Sequence, residues 1–446
     1  MTKVFISFDT EDYVNPHGVD GIIKTAAILE KHGVVGCYNV VARLAQALIR
    51  WGRQDAIEAL KRHEIEYHSL AHSLHPTINE YTDIEDFEEA KRAFLKNEIE
   101  GREIIRAVFG VQDLYAACPP GDSVSYVAHY GYADMGIGIY DGDWYCDIKR
   151  NRPVYACNIA CLRYSHCLDD YLAISDRDKI DTDLDKIAEE KDFYIFYHHP
   201  QMGIIDQFCD EVNRMTPENA GEWKLSGYRP KEERDKFYEN FDYLIGKLKH
   251  DPRFEIMTYK QLAKELESGS RVIRREDIPE IKHALDAYFF PVTTPDSYCI
   301  TDILYACRDL LLGKACHKCG YVYGFLHTPY AIGEAVTVGA SEIYESAKQI
   351  KDDFLPTSIR VGGKELGPRD WLNGALCALC GQDVITLEPS DWQIDLAQFP
   401  TVRDMDLRGT WIHDDSFEDT YLSERFRLQS WTYRLPKNTP RKIFYD

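Results

Sequence analysis

The stretch Val4-Phe5-Ile6-Ser7-Phe8-Asp9-Thr10-Glu11-Asp12 decides how this chain is read. Branched and aromatic side chains over Val4 to Phe8 predict a buried strand, and the run breaks into three carboxylates within four residues. Working outward, Gly21 to Lys31 carries apolar residues at helical spacing, Gly33 stops that helix, and Val34 to Val41 is a second apolar run. Strand, helix, strand is the unit of a parallel sheet.

The rhythm continues. Helical patterns lead to Glu64-Ile65-Glu66-Tyr67, a long helix fits Ile84 to Ala107, and Leu114 to Ala117 precedes the breaker pair Pro119-Pro120. Phe193 to Tyr197 is the most apolar run of this half, followed by a helix over Lys231 to Lys249, then Phe254 to Met257 and a helix over Tyr259 to Glu267. Enough units are present to close a barrel, whose chemistry would sit at the C-terminal ends of the strands. At Ser268-Gly269-Ser270 the rhythm stops, so the expected domains are residues 1–267 and residues 268–446. The second half offers helices around Asp302 to Leu312, Glu342 to Lys351 and Trp371 to Leu379, with a turn at Gly362-Gly363.

Composition narrows the function classes. The chain of 446 residues carries 74 Asp and Glu against 52 Lys and Arg, a net charge of −22, which disfavours nucleic acid and other polyanions. A neutral or cationic small molecule is the expected partner. No segment is an uninterrupted apolar run of membrane-spanning length, and the opening Met1-Thr2-Lys3 lacks a basic leader ahead of a long apolar core. With thirteen cysteines, an odd number, the expectation is a protein of the reducing cytoplasm rather than a disulfide scaffold.

Three clusters carry candidate chemistry. Asp9, Glu11 and Asp12 follow the first strand. His68-Ser69-Leu70-Ala71-His72 follows the third, with His75 beyond it, and three of the chain's fifteen histidines within eight residues weigh against chance. Two imidazoles four residues apart can face one metal, with a carboxylate from another strand end completing a site open to water and substrate. His198-His199-Pro200 follows the most apolar strand, and a histidine there suits a general acid. Tyr140, Trp144 and Tyr145 could form a wall on which a sugar ring stacks.

Taken together, Asp9 to Asp12, Glu64 to His72, Cys118-Pro119-Pro120-Gly121, His199-Pro200 and the closing Phe254 to Tyr259 resemble the successive motifs of the polysaccharide deacetylase superfamily (NodB homology, carbohydrate esterase family 4). The resemblance covers about residues 1 to 267. It implies a distorted (β/α)7 barrel, with a smaller α+β accessory domain to follow, and a divalent metal, most often zinc. The implied reaction is hydrolysis of an acetamide or related C–N bond. It also implies Asp9 as general base, Glu11 or Asp12 as metal carboxylate, His68 and His72 as metal ligands, and His199 as the acid that protonates the leaving amine. Pro120 and Gly121 would lie against substrate, with a backbone N–H near the oxyanion. One departure stands out: Cys118 occupies the place of the family's usual Arg, which pairs with the base. Other readings are an allantoinase-like hydrolase of cyclic amides or ureides, and a catalytically silent barrel that binds glycans.

The C-terminal half carries Cys316-His317-Lys318-Cys319-Gly320 and Cys377-Ala378-Leu379-Cys380-Gly381. Cys316, Cys319, Cys377 and Cys380 match the ligand pattern of a shared structural zinc, but their long separation and the apolar helical setting of the second pair favour free thiols. Glu342 to Leu376 faintly resembles small repeats of the pseudomurein-binding type, which suggests a glycan-facing or structural role.

Overall fold

The computed structural model describes residues 1–72, 74–122, 125–142, 150–213, 223–267, 270–395, 418, 420–439 and 441. Two compact units are present. The first comprises Met1–Arg152, Cys161–Leu266 and a short C-terminal piece ending at Leu422; the second comprises Pro153–Ala160, Glu267–Met405 and Ser423–Asp446.

The first unit is built on a curled, parallel sheet. Its strands are β1 (Thr2–Thr10), β2 (Cys37–Val40), β3 (Glu64–Tyr67), β4 (Ala116–Ala117) and β5 (Ile139–Asp141). After β6 (Val154–Ala156), which belongs to the second unit, come β7 (Ile159–Leu162), β8 (His166–Cys167), β9 (Phe193–His198) and β10 (Phe254–Ile256). The order is β7-β5-β4-β3-β2-β1-β9-β8, with β10 also beside β1. At nine residues β1 is long enough to hold three partners: β9 along one edge, and on the other β10 against Thr2 to Val4 and β2 against Ser7 to Thr10. Sharing one edge between two strands distorts the sheet.

The curl is visible in the core. Phe5, Cys37, Ala116, Ile139, Leu162 and Ile195, one each from β1, β2, β4, β5, β7 and β9, converge in a single buried cluster with Met257 and Tyr259. A flat sheet cannot bring side chains from six strands together; a sheet closing toward a barrel does. Small residues (Cys37, Ala116) opposite large ones (Phe5, Tyr259) fill the interior, and each fully buried large apolar side chain contributes about 1.5–3 kcal/mol. The fold is therefore α/β, a distorted (β/α) barrel, as the strand and helix rhythm predicts.

Differences from the sequence reading are confined to short elements. The helix expected at Gly21 to Lys31 spans Val19–Lys31, and the long one spans Phe87–Phe109, capped by the Asp86 side chain at one end and by Gly110 in a left-handed conformation at the other. The strands β5, β7 and β8 escape the sequence reading because two to four residues are too few to show an alternating pattern.

One contact fixes how the long helix lies against the sheet. A Cβ on Gly101 would stand 2.1 Å from the Tyr67 hydroxyl and 3.1 Å from Leu70 Cα. Only glycine admits that approach. The second unit is α+β, with helices Ile278–Ala287, Ile300–Leu311, Ala340–Ser346 and Pro368–Leu379 and three two-stranded antiparallel sheets. Among the described residues no helix is long and apolar enough to cross a membrane.

Gly101→Ala should therefore destabilise the protein by about 1–3 kcal/mol through overpacking, although alanine is intrinsically the better helix former by about 1 kcal/mol. Urea denaturation measures this. Unchanged or increased stability would remove the close approach as a constraint on the fold.

Candidate functional site

Parallel register assembles the site. Thr10 pairs with Val40 and Val40 with Tyr67, so Glu11 and His68 are the next residues at one level of the sheet. Tyr67 pairs with Ala117, which brings Cys118 to that level as well. On the other side Phe8 pairs with His198 and Cys167 with Tyr197, so Asp9 stands beside His199, and Asp169 follows on the next strand. All of these lie at C-terminal strand ends.

Glu11, His68 and His72 converge, and all three are buried. Glu11 Oε2 lies 3.3 Å from His68 Nε2 and 2.9 Å from His72 Nε2. His68 Nδ1 lies against the Cys118 carbonyl and Nε2 faces the Glu11 carboxylate; with the proton on Nδ1, donated to that carbonyl, Nε2 would offer its lone pair to a metal, the usual arrangement of a ligating histidine. Glu11 Oε1 accepts from Gln201 Nε2 at 3.1 Å. Burial pushes the Glu11 carboxyl up, but charge on His72 and His199 and hydrogen bonds from both ligand histidines outweigh it and hold it well below the carboxylate range. An ionised carboxylate and two imidazole nitrogens meeting at one buried point fit a zinc-class dication.

The loop bearing the histidines is bent into place. Ser69 and His72 have left-handed backbones, with φ of 75° and 54°, each costing about 1–3 kcal/mol. Several hydrogen bonds offset that strain. Ser69 Oγ accepts from the His72 N–H at 2.9 Å, and the Tyr13 hydroxyl donates to the Ala71 carbonyl at 3.0 Å. Glu98, buried under the loop, accepts from the Leu70 N–H at 3.2 Å and from the hydroxyls of Tyr67 and Tyr81 at 2.7 and 2.6 Å.

Asp12 faces elsewhere. Its Oδ1 accepts from the backbone N–H groups of Val14 and Asn15 at 2.9 and 2.8 Å and so shapes the turn after β1; the group that meets the two histidines contains Glu11.

Asp9 is held by groups the sequence reading does not name. Asn39 Nδ2 donates to Oδ1 at 3.0 Å, and the Tyr164 hydroxyl donates to both carboxylate oxygens at 2.9 and 3.0 Å. Tyr164 also touches the Cys118 thiol and stacks on Tyr197 with ring centroids 4.4 Å apart. Burial and the charge of Asp9 keep its hydroxyl well above the usual phenol range, so it remains a donor. A neutral tyrosine thus grips the carboxylate that the motif's Arg would have paired with.

His199 Nε2 is 3.7 Å from Asp9 Oδ2. Its Nδ1 pairs with Asp169 Oδ2 at 2.7 Å, its backbone N–H donates to Asp169 Oδ1 at 3.0 Å, and His198 Nδ1 reaches the same oxygen at 2.6 Å. Burial works against a charged His199, but Asp169 and Glu11 more than compensate and lift it well above the usual histidine value. Asp169 is likewise pushed up by burial yet held far below the carboxylate range by the two histidines. His199 thus has Nδ1 held by Asp169 and Nε2 turned toward Asp9. Glu11, Asp169 and His199, together with Cys167, Tyr197, Phe208 and Glu211, line a cavity of about 330 Å³, within the range for small-molecule sites.

The remaining expected residues fall outside this cluster. Pro120 is buried, and Gly121 adopts a left-handed turn with φ 53° on the loop after Cys118. Tyr140 is a core residue stacked on His129 at 4.6 Å; Trp144 and Tyr145 lie outside the described residues. Cys316, Cys319, Cys377 and Cys380 are all free, and among the described residues no group of three metal-ligating side chains contains Cys316, Cys377 or Cys380.

No family model matches the chain, and no curated protein is similar to it by sequence. Solved structures show a distant likeness. A protein assigned as a polysaccharide deacetylase from Mycobacterium smegmatis is 14% identical, with 60% of this chain and 90% of that one covered and a TM-score of 0.41. The peptidoglycan deacetylase PdaC of Bacillus subtilis, as a mutant, is 13% identical over 64% and 96%, with a TM-score of 0.32. A carbohydrate esterase family 4 pseudoenzyme from Bacillus anthracis is 14% identical over 45% and 55%, with a TM-score of 0.28.

For the metal-ligand group, His68→Ala or His72→Ala should lower zinc affinity at least tenfold, whereas Asp12→Asn should leave it within about twofold. Competition titration against a zinc-sensitive dye reads all three. Affinity lost in Asp12→Asn but kept in both histidine variants would reverse the assignment.

Proposed function

We propose that this protein is a metal-dependent hydrolase that removes the acetyl group from an N-acetylated sugar or a related small amide. The observation that carries this reading is the juxtaposition of Glu11, His68 and His72 with a carboxylate and an imidazolium 3.7 Å apart beside them. A zinc-class ion held by those three residues would lower the pKa of a bound water and polarise the amide carbonyl.

The chain's own groups supply the proton transfers. Asp9, fixed by Tyr164 and Asn39, is placed to accept the proton of the attacking water. His199, charged and oriented by Asp169, is placed to donate from Nε2 to the departing amine nitrogen, without which the C–N bond would break to a poor leaving group. Opposite protonation states in neighbouring groups are what an acid and a base working together require.

Three further features support the reading. The cavity is closed in by Tyr197 and Phe208, and the ring of Phe208 stands edge-on to His199 at 4.7 Å, an apolar wall that excludes water from the acid. The net charge of −22 suits a reaction that converts a neutral amide into a cationic amine. No disulfide joins the described cysteines, in keeping with the proposed cytoplasmic location.

Acetate release from chitooligosaccharides by zinc-loaded protein, assayed beside a cyclic ureide, tests the proposal. Acetate formation is expected. No hydrolysis of either substrate by metal-loaded protein would favour the catalytically silent barrel, and turnover of the ureide alone would favour the allantoinase-like reading.

Two substitutions test the roles within it. Tyr164→Phe should keep metal but reduce kcat by about 10–100-fold, a fraction of what a general base contributes. Asp169→Asn should also move the alkaline limb of kcat/KM to lower pH: Asp169 raises the His199 pKa, so its loss lets the required imidazolium deprotonate earlier. An unmoved limb would separate His199 from the acid role.

A further inference from the structure

The second unit holds a cluster that the proposed hydrolase chemistry does not use. Asp302 is at the start of helix Ile300–Leu311, and His317 and Cys319 are in and just after the strand Cys316–Lys318. A carboxylate oxygen of Asp302, a ring nitrogen of His317 and the Cys319 sulfur lie within 4.8 Å of one another. Asp302 is 1% exposed and His317 7%.

The hydrogen bonding leaves one acceptor on each unspent. Asp302 Oδ2 accepts from Arg271 Nη1 at 2.6 Å and from the Cys299 N–H at 3.2 Å, while Oδ1 is buried with no partner among the described residues. His317 Nδ1 is engaged by Asp309 Oδ2 at 2.9 Å, which leaves Nε2, also buried, without a partner among the described residues. Two unsatisfied buried polar atoms beside a thiol are costly as they stand. A carboxylate on the far nitrogen of a histidine is the arrangement that readies the near nitrogen for a metal.

We propose that Asp302, His317 and Cys319 bind a thiolate-seeking dication of the zinc class, with water as fourth ligand, clamping the start of the helix to the following strand. Tetrahedral ligands about 2.0–2.3 Å from zinc stand about 3.5 Å apart, so closing the site needs only small side-chain rotations. Charge balances. Burial, with Asp302 alongside, holds the Cys319 thiol protonated above its usual range, and the incoming dication displaces that proton to form the metal–sulfur bond. The nearby Arg271 remains paired with Asp302 Oδ2. This site is separate from the Cys316, Cys319, Cys377 and Cys380 set, sharing only Cys319, and does not depend on the hydrolase reading.

Cobalt(II) titration of chelator-stripped, full-length protein tests it. A near-ultraviolet thiolate-to-cobalt absorption should appear, reach saturation, vanish in Cys319→Ser, and need tenfold to hundredfold more cobalt in Asp309→Asn. If Cys319→Ser fails to fold, Asp309→Asn carries the test, since it keeps all three ligands. No such absorption in the folded wild type, the same absorption in Cys319→Ser, which would assign it to a thiol elsewhere, or unchanged affinity in Asp309→Asn would overturn the proposal.

Discussion

Everything at the candidate site depends on the register of the parallel strands flanking β1. Pairing of Thr10 with Val40 and of Val40 with Tyr67 puts Glu11 and His68 at one level, and pairing of Phe8 with His198 does the same for Asp9 and His199. In a parallel sheet every strand ends at the same face, so a polar residue one step beyond each apolar run is delivered to a common point. A slip of one residue between β1 and either neighbour would turn that neighbour's side chains to the opposite face and dissolve the group the two strands share. The buried cluster drawn from six strands is what prevents that slip, because the same shift would expose Phe5 or Ile195.

Above that rigid base, the functional side chains are held by partners that cost the fold something. The left-handed Ser69 and His72 store strain in the histidine loop, and the buried Glu98 is a carboxyl whose pKa is raised by burial. Its three donors, Tyr67, Tyr81 and the Leu70 N–H, make the arrangement tenable, and loss of a partner from a buried acceptor costs about 1–3 kcal/mol. The grip on Asp9 differs in kind. A guanidinium would hold the carboxylate by charge and a bidentate fork; Tyr164 and Asn39 hold it with neutral dipoles. Tyr164 and Asn39 thus fix the orientation of the carboxylate, and His199 stands 3.7 Å from it.

How much of this could be read in the sequence follows from the same physics. β1 and β9 are legible because each is a largely apolar, buried run followed by titratable residues, and β3, Glu64 to Tyr67, by its place in the strand and helix rhythm; Asp9, Glu11, His68, His72 and His199 stand at or just beyond those ends. Asp169 obeys the same rule, but the strand before it, His166–Cys167, is two residues long and leaves no pattern to follow. Asn39 offered a weaker signal, a lone amide inside the apolar run Cys37 to Val41. Tyr164 offered none, since one tyrosine among 29 says nothing about the carboxylate 155 positions away that it holds. Between Glu11 and Asp12 the sequence does not choose, since both are acids after a strand; in the fold Glu11 meets the two histidines, and one oxygen of Asp12 accepts from the backbone of Val14 and Asn15. In the second unit the paired Cys-x-x-Cys pattern drew attention to four thiols, while the buried Asp302 and His317 beside Cys319 lie apart in sequence and have no pattern to betray them.

The central claim is that Glu11, His68 and His72 form a metal centre beside Asp9 and His199. The measurement that bears on it most directly is anomalous diffraction at the zinc edge from a zinc-loaded crystal of the full chain. A peak about 2.0–2.2 Å from a Glu11 oxygen and from Nε2 of both His68 and His72 is the predicted result. No peak there, with the two imidazoles still in direct contact with the Glu11 carboxylate, would contradict it.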